Sequence, residues 1–215
     1  MFNIVLNIIF IFAILIVSPF HLLAHSSWID SSIGDAGSEK GKIIFKIGNG
    51  HHFPVSEMAI GDNVINYCRV ITPKGGVIEI KTEARGMFRV GSFKSVGDGC
   101  YIIIAGLKNP PRFFLKSILI NGKCNRIDFR TGEQFEIIPE GSISRCKIGD
   151  SIRLNVYLNG KSIQSSLSIS VDGKINFFTG TDKNGQYDLR IKENGKYLIT
   201  SLYKGKGCSL SFEIR

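Results

Sequence analysis

Charged residues are missing from the first 24 positions, and residues 4–20 are almost entirely apolar. A short apolar core followed by a small residue is typical of a secretory signal peptide, and Ala24 is the small residue at the predicted cut. An uncleaved anchor is the competing interpretation, because ~17–25 apolar residues can span a bilayer. The sequence therefore predicts a signal peptide over residues 1–24 and a periplasmic or secreted protein. Without cleavage the same protein is membrane-anchored.

Sustained helical periodicity is also missing after residue 24, and Lys and Arg never form a run of five or more. The formal net charge of +9 is instead scattered among predicted strands and turns. A scattered basic surface is typical of a soluble protein rather than of a nucleic-acid-binding patch. Export argues in the same direction, so no nucleic-acid partner is predicted.

Paired Cys-x-x-Cys motifs are absent, which disfavours zinc-knuckle and thioredoxin-type sites. The chain has five cysteines, and in an exported protein paired cysteines are expected to be oxidised. With four of them paired, three connectivities are possible for each choice of the spare, and the sequence selects none. The five are Cys68, Cys100, Cys124, Cys146 and Cys208.

Histidine is scarce, with four in the chain. Cleavage after Ala24 removes His21 and makes His25 the first residue, which leaves His51 and His52 as the remaining imidazoles. An N-terminal histidine offers its α-amino group and a ring nitrogen together. With one more imidazole these make a three-nitrogen, T-shaped set that suits Cu(II), or Ni(II) in tetragonal geometry. Because neighbours in an extended loop point opposite ways, one of His51 and His52 is expected to ligate.

Short strands separated by Gly and Pro turns fill the region after the signal. Residues 42–47 (KIIFKI) are predicted to form a strand that runs directly into the GHHFP loop at 50–54, where Pro54 prevents regular pairing. Further strands are predicted at 67–72, 77–82, 87–93, 101–105 and 113–120. This pattern predicts an all-β sandwich or barrel spanning residues 25–138.

Asn-Gly turns between alternating runs mark a second unit. They occur at residues 159–160, 184–185 and 194–195, and Asn-Gly in this setting is the strongest short-range hairpin signal. We interpret residues 139–215 as a small antiparallel β-sandwich that lacks histidine. It is predicted to fold alone and to bind no metal.

Two carboxylates follow the histidine pair within the next ten residues. Glu57 and Asp62 could hydrogen-bond a ligating ring and hold its tautomer. Trp28 is predicted to pack in the core. No histidine is left for a Ser-His-Asp triad, and residues 97–99 (GDG) lack the Gly-Lys-Ser/Thr ending of a phosphate loop. The sequence therefore predicts a protein that is not an enzyme.

Several motifs in order resemble the exported family labelled domain of unknown function 4198. They are AHSSW at 24–28, GHHFPVSE at 50–57, FLKSI at 114–118, FEIIP at 135–139, LNGK at 158–161 and TDKNG at 181–185. The resemblance implies two β-sandwich units, the second immunoglobulin- or transthyretin-like. It also implies nickel or cobalt handling in the periplasm, with His25 and His51 as ligands and His52 as an alternate. The family's frequent late histidine or tryptophan is replaced here by Leu202-Tyr203-Lys204.

Three functions follow as expectations. The first is an exported binding protein for nickel, cobalt or copper, delivering the ion to a membrane transporter. The second is a copper oxidase resembling the polysaccharide monooxygenases, which also use an N-terminal histidine. The third is a structural or carbohydrate-binding β module.

Overall fold

The structure, a computed structural model, describes residues 26–33, 41–108 and 112–215, without the side chains of residues 175 and 176. The predicted signal peptide and His25 lie outside the described residues. Sixteen strands and two single-turn 3-10 segments make up the regular structure of this part, which confirms the all-β sandwich prediction. The strands are β1 (Ser26–Ile33), β2 (Lys42–Gly50), β3 (Ile65–Ile71), β4 (Val77–Glu79), β5 (Glu83–Arg85), β6 (Phe88–Lys94), β7 (Gly99–Leu107), β8 (Arg112–Asn121), β9 (Phe135–Glu140), β10 (Ser151–Leu158), β11 (Lys161–Ser162), β12 (Ser166–Val171), β13 (Lys174–Gly180), β14 (Gln186–Arg190), β15 (Gly195–Tyr203) and β16 (Lys206–Ile214).

These strands form three stacked sheets. The central sheet has eight strands in the order β13-β12-β15-β16-β8-β7-β3-β4. An N-terminal sheet, β1-β2-β6-β5, packs on one face of it, and a C-terminal sheet built on β10 with β9, β11 and β14 packs on the other. Two apolar cores therefore lie on opposite sides of one sheet.

Strand β7 shows why the sequence favours this arrangement. All nine of its residues are buried. Ile102 and Ile104 face the core shared with the C-terminal sheet, whereas Tyr101 and Ile103 face the core shared with the N-terminal sheet. A strand covered on both faces is a continuous apolar run rather than an alternating one. The YIIIA run at 101–105 is that signal.

The two halves of the chain are joined inside the central sheet. Strand β8 of the first half pairs in parallel with β16 of the second, from Arg112↔Lys206 to Ile118↔Phe212. The boundary predicted between residues 138 and 139 falls within β9, which is one strand of the C-terminal sheet. The second half thus shares its core with β7 and β8. If residues 139–215 fold alone, as the sequence predicts, they must do so without this shared core.

A buried ion pair fixes the connection between β8 and β9. The ammonium group of Lys116 donates to Glu136 Oε2 at 2.6 Å, and both side chains are buried. The same nitrogen donates to the main-chain oxygens of Phe129 at 3.1 Å and Ile137 at 3.2 Å. These three acceptors satisfy the three donors of the ammonium group, which is the condition for burying it.

Candidate metal-binding loop

The histidine pair begins where β2 ends. Strand β1 pairs antiparallel with β2, and its first residue, Ser26, is the partner of Gly50, the residue immediately before His51. After the pair the chain makes a tight turn, in which the Val55 N–H donates to the His52 carbonyl oxygen at 2.7 Å. The strand-end position predicted for the histidines is therefore where the structure places them.

Ser56 holds this loop against the sheet. Its buried hydroxyl accepts from the Asn49 N–H at 3.0 Å and donates to the Met87 carbonyl at 2.8 Å. The Glu57 N–H donates to the Asn49 carbonyl oxygen at 2.9 Å. Together these bonds return the chain to the end of β2 and place Glu57 beside the two histidines.

Both imidazole rings converge on the Glu57 carboxylate. His51 Nδ1 lies 2.8 Å from Oε2, and His52 Nδ1 lies 2.5 Å from Oε1. The ring centroids are 6.4 Å apart. The expectation that the two neighbouring side chains point in opposite directions is wrong, because the turn at residues 52–55 replaces an extended backbone.

The hydrogen bond from His51 lowers the pKa of Glu57 most, and the hydrogen bond from His52 lowers it further, from 4.5 to about 2. The carboxylate is therefore ionised at neutral pH and can only accept, so the hydrogen in each contact belongs to a histidine Nδ1. In the tautomer that carries its hydrogen on Nδ1, the lone pair is on Nε2, the nitrogen that binds a metal in a carboxylate–histidine–metal arrangement. The donor chemistry of this loop fits a transition-metal ion.

Asp62, the other predicted supporting carboxylate, has a different contact. It pairs with the buried Arg89, which also donates to the Thr82 hydroxyl at 2.9 Å. Among the hydrogen bonds of the described residues, none joins this carboxylate to His51 or His52. Asp62 lies in the 3-10 segment Asp62–Val64, which directly precedes β3.

Trp28 packs against Phe53, the residue that follows the histidine pair. It is fully buried, as predicted, and its ring meets that of Phe53 edge-on with centroids 5.7 Å apart. Gly48 lies so close to the indole that an added Cβ would come within 2.7 Å of Nε1. Leu198 of β15 completes this small apolar cluster. Because Phe53 follows His52 directly, the packing fixes the backbone of the histidine pair.

The metal ligand set is only partly within the described residues. His25 lies outside them. In the ranges 26–33, 41–108 and 112–215 there is no group of three or more His, Cys, Asp or Glu side chains that could hold a metal ion. Any site at this loop therefore needs a ligand in addition to the described side chains.

The cysteines differ from the expectation of two bridges. Cys100 and Cys124 form a disulfide, whereas Cys68, Cys146 and Cys208 are thiols. Cys68 and Cys208 are buried in the two different cores, on opposite faces of the central sheet. The sequence did not predict that these two thiols lie in different cores, because their location depends on the position of each strand in the sheets.

Comparisons with known proteins place the chain in no family. No family model matches it, and no curated protein matches it either. Among solved structures it is similar to a tetra-tandem repeat in the extending region of a large adhesion protein, with 12% identity and a TM-score of 0.29 over 89% of this chain and 49% of that one. It is also similar to the central fibronectin-III array of RIM-binding protein, with 10% identity and a TM-score of 0.27 over 86% of this chain and 66% of that one. A third similar structure is that of the chicken CNTN1 FN1-FN3 domains, with 9% identity and a TM-score of 0.26 over 81% of this chain and 60% of that one. The chain thus spans about half the length of the first of these structures.

No helix in the part of the chain that the structure describes is long and apolar enough to cross a membrane.

Proposed function

We propose that this chain is an exported, non-catalytic protein that binds a transition-metal ion, nickel, cobalt or copper, at the loop of residues 50–57. The ligands are His51, with His52 as its alternate, together with the α-amino group and ring of His25. Delivery to a membrane metal transporter is the function this binding would serve. The observation that carries the proposal is the Glu57 carboxylate, which accepts from both histidine rings.

The strand register supports the inclusion of His25. Ser26 is the ladder partner of Gly50, and residues opposite one another in an antiparallel pair have Cα atoms about 4.5–5.5 Å apart. His25 directly precedes Ser26 in the chain, and His51 directly follows Gly50. Consecutive Cα atoms are about 3.8 Å apart, so each histidine is one such step from a member of this ladder pair. A chelate needs only that both side chains turn toward a common point.

The test is a titration of the chain 25–215, released by proteolysis so that His25 carries the free amine, with Cu(II) and Ni(II). We expect the double variant His51→Ala/His52→Ala to weaken binding at least 100-fold, because it removes both the ligand and its alternate. Glu57→Gln should weaken it 10- to 100-fold, the usual effect of removing a carboxylate behind a ligating ring. Glu83→Gln, which changes an exposed carboxylate on β5, is the matched control and should leave affinity unchanged.

A second preparation that retains Ala24 tests the role of the amine. An amide nitrogen in that position is not basic, so this chain should bind at least 100-fold more weakly while unfolding at the same temperature. Equal affinity of the two preparations, or tight binding by the double variant His25→Ala/His51→Ala, would remove the proposed site.

A further inference from the structure

A cleft opens at the end of the central sheet where β8 and β16 separate. Their parallel ladder ends at Ile118↔Phe212. Beyond it, β8 continues alongside β7 as far as Asn121, and β16 continues alongside β15 as far as Ile214. The sheet therefore divides into two edges at this point.

The last residues of β8, beyond Ile118, have a ladder partner on the β7 side only, among the described strands. In a sheet, the N–H and C=O groups of a strand are directed to both of its neighbours, and past Ile118 no strand of the described residues pairs with β8 on the β16 side. Leu119 and Ile214, on the two edges, are both buried. Buried main-chain polar groups are paired in native proteins, by protein, water or ligand. The division of the sheet thus leaves a short edge of β8 facing the cleft.

The cleft is a defined cavity of about 290 Å³. Strand β1 lines one side of it, through Asp30 and Ser31, and the turn carrying Ile143 and Cys146 lines the other. Its apolar wall is formed by Ile118, Ile120, Phe212 and Ile214. This volume is close to the lower limit of ligand sites, which begin at about 300 Å³.

The charged residues of the cleft already have partners. Lys196 Nζ lies 2.7 Å from Asp30 Oδ1, and Arg215 Nη2 lies 2.9 Å from Glu213 Oε2. The charges that line the cleft therefore balance in pairs and leave no net charge to attract an ionic ligand. A neutral ligand that offers amide groups to the strand edge and an apolar side chain to the isoleucines matches this lining.

We propose that this cleft binds a short, extended peptide segment of a partner protein, which adds main-chain hydrogen bonds to the edge of β8 beyond Ile118. Strand addition of this kind takes its affinity from the main chain and its specificity from alternate side chains. Here the side chains that face the apolar wall are expected to be aliphatic. The proposal does not depend on metal binding, although Phe53 of the histidine loop also lines the cleft.

Cys146 provides a direct test, because it lines the cleft and is partly exposed, whereas the other two free thiols, Cys68 and Cys208, are buried. The full mature chain is equilibrated, under mildly reducing conditions, with a pool of disulfide-linked compounds. In each exchange the Cys146 thiolate bonds to the compound's sulfur, and the other half of the disulfide leaves as a thiolate. The pool contains acetylated dipeptide amides, their N-methylated isomers, sugars and carboxylic acids. Mass spectrometry identifies the captured members.

We expect aliphatic dipeptide amides to be captured at least tenfold more than their N-methylated isomers, which lack the N–H needed for strand pairing. Equal capture of the two forms, preferential capture of sugars or acids, or capture in proportion to abundance would each overturn the proposal.

A second measurement removes the covalent link. The best dipeptide, made without its thiol, is titrated into Cys146→Ser protein. Glu213→Trp, which places a large ring at the cleft, should reduce its affinity at least tenfold. Leu202→Trp is the matched control, because Leu202 is exposed on β15 and does not line the cleft. An equal loss of dipeptide affinity in both variants, or no loss in either, would contradict binding in this cleft.

Discussion

Replacing Lys116 by Met tests how the buried ion pair stabilises the connection between β8 and β9. The substitution leaves the Glu136 carboxylate buried without its cation, and breaking a buried pair in this way costs about 3–5 kcal/mol. Glu136 keeps three other donors, the Thr131 N–H at 3.1 Å, the Thr131 hydroxyl at 2.8 Å and the Gly132 N–H at 3.2 Å. We therefore expect a loss near the lower limit, about 3 kcal/mol.

The double variant Lys116→Met/Glu136→Gln separates charge from packing. It removes both charges, and the amide oxygen of Gln still accepts from Thr131. Because a buried pair often contributes little over neutral side chains of similar size, the double variant should regain at least about 1.5 kcal/mol relative to Lys116→Met.

Urea unfolding followed by the fluorescence of Trp28, the single tryptophan of the chain, measures these free energies. Lys161→Met, on the exposed strand β11, is the control and should change the free energy of unfolding by less than about 0.5 kcal/mol. The reasoning is refuted if Lys116→Met unfolds like the unsubstituted protein, or if the double variant is no more stable than Lys116→Met.

Four further outcomes are expected. The intact mass of protein exported by an expressing cell should correspond to a chain that begins at His25, and a chain that keeps Met1 would contradict the predicted cleavage. In the native protein a thiol reagent should label Cys146 before the buried thiols, as peptide mass spectrometry would show. Burial raises the pKa of Cys68 from 9.0 to about 12, so the contribution of this thiol to stability is complete below about pH 9 and is lost as pH rises toward 12. The variant Cys68→Ala should therefore lose less stability over this pH range than the unsubstituted protein. An equal loss in the two proteins would contradict a raised pKa for this thiol. The fragment 139–215 should remain unfolded by circular dichroism because it lacks β7, β8 and part of β9, and a cooperative unfolding transition in it would contradict the shared core.

Much of the strand pattern could be predicted from local sequence. Strands predicted at residues 101–105 and 113–120 correspond to β7 and β8, since continuous apolar runs and flanking Gly or Pro residues are local signals. The Asn-Gly turn at residues 159–160 joins β10 to β11, where Asn159 and Gly160 both have positive φ. No strand was predicted over β1, because its SSWIDSSI sequence is rich in serine and lacks alternation.

Long-range pairing could not be predicted in the same way. The parallel contact of β8 with β16 joins residues far apart in the chain, and no local signal specifies which strands meet. The local signals therefore predicted two sandwich units without indicating that both share the central sheet. The same limitation affected the cysteines, because the bridge between Cys100 and Cys124 depends on where the segment after β8 turns.

The candidate site was predictable in position but not in geometry. The apolar strand before Gly50 and the proline after the histidines placed the pair on a loop at a strand end. The convergence of both rings on Glu57 depends on the turn at residues 52–55 and on Ser56, whose hydroxyl reaches a main-chain oxygen of Met87 on a different part of the chain. A contact of that kind leaves no signal in the local sequence.

Electron paramagnetic resonance of the Cu(II)-loaded chain 25–215 shows whether His25 and the histidine pair hold the metal, because nitrogen hyperfine structure reports the ligand nitrogens. We expect a tetragonal Cu(II) signal with three nitrogen ligands, which loses one nitrogen when His51 and His52 are both replaced by Ala. A spectrum that is unchanged in this double variant, or in a chain that begins at Ser26, would contradict the proposed site.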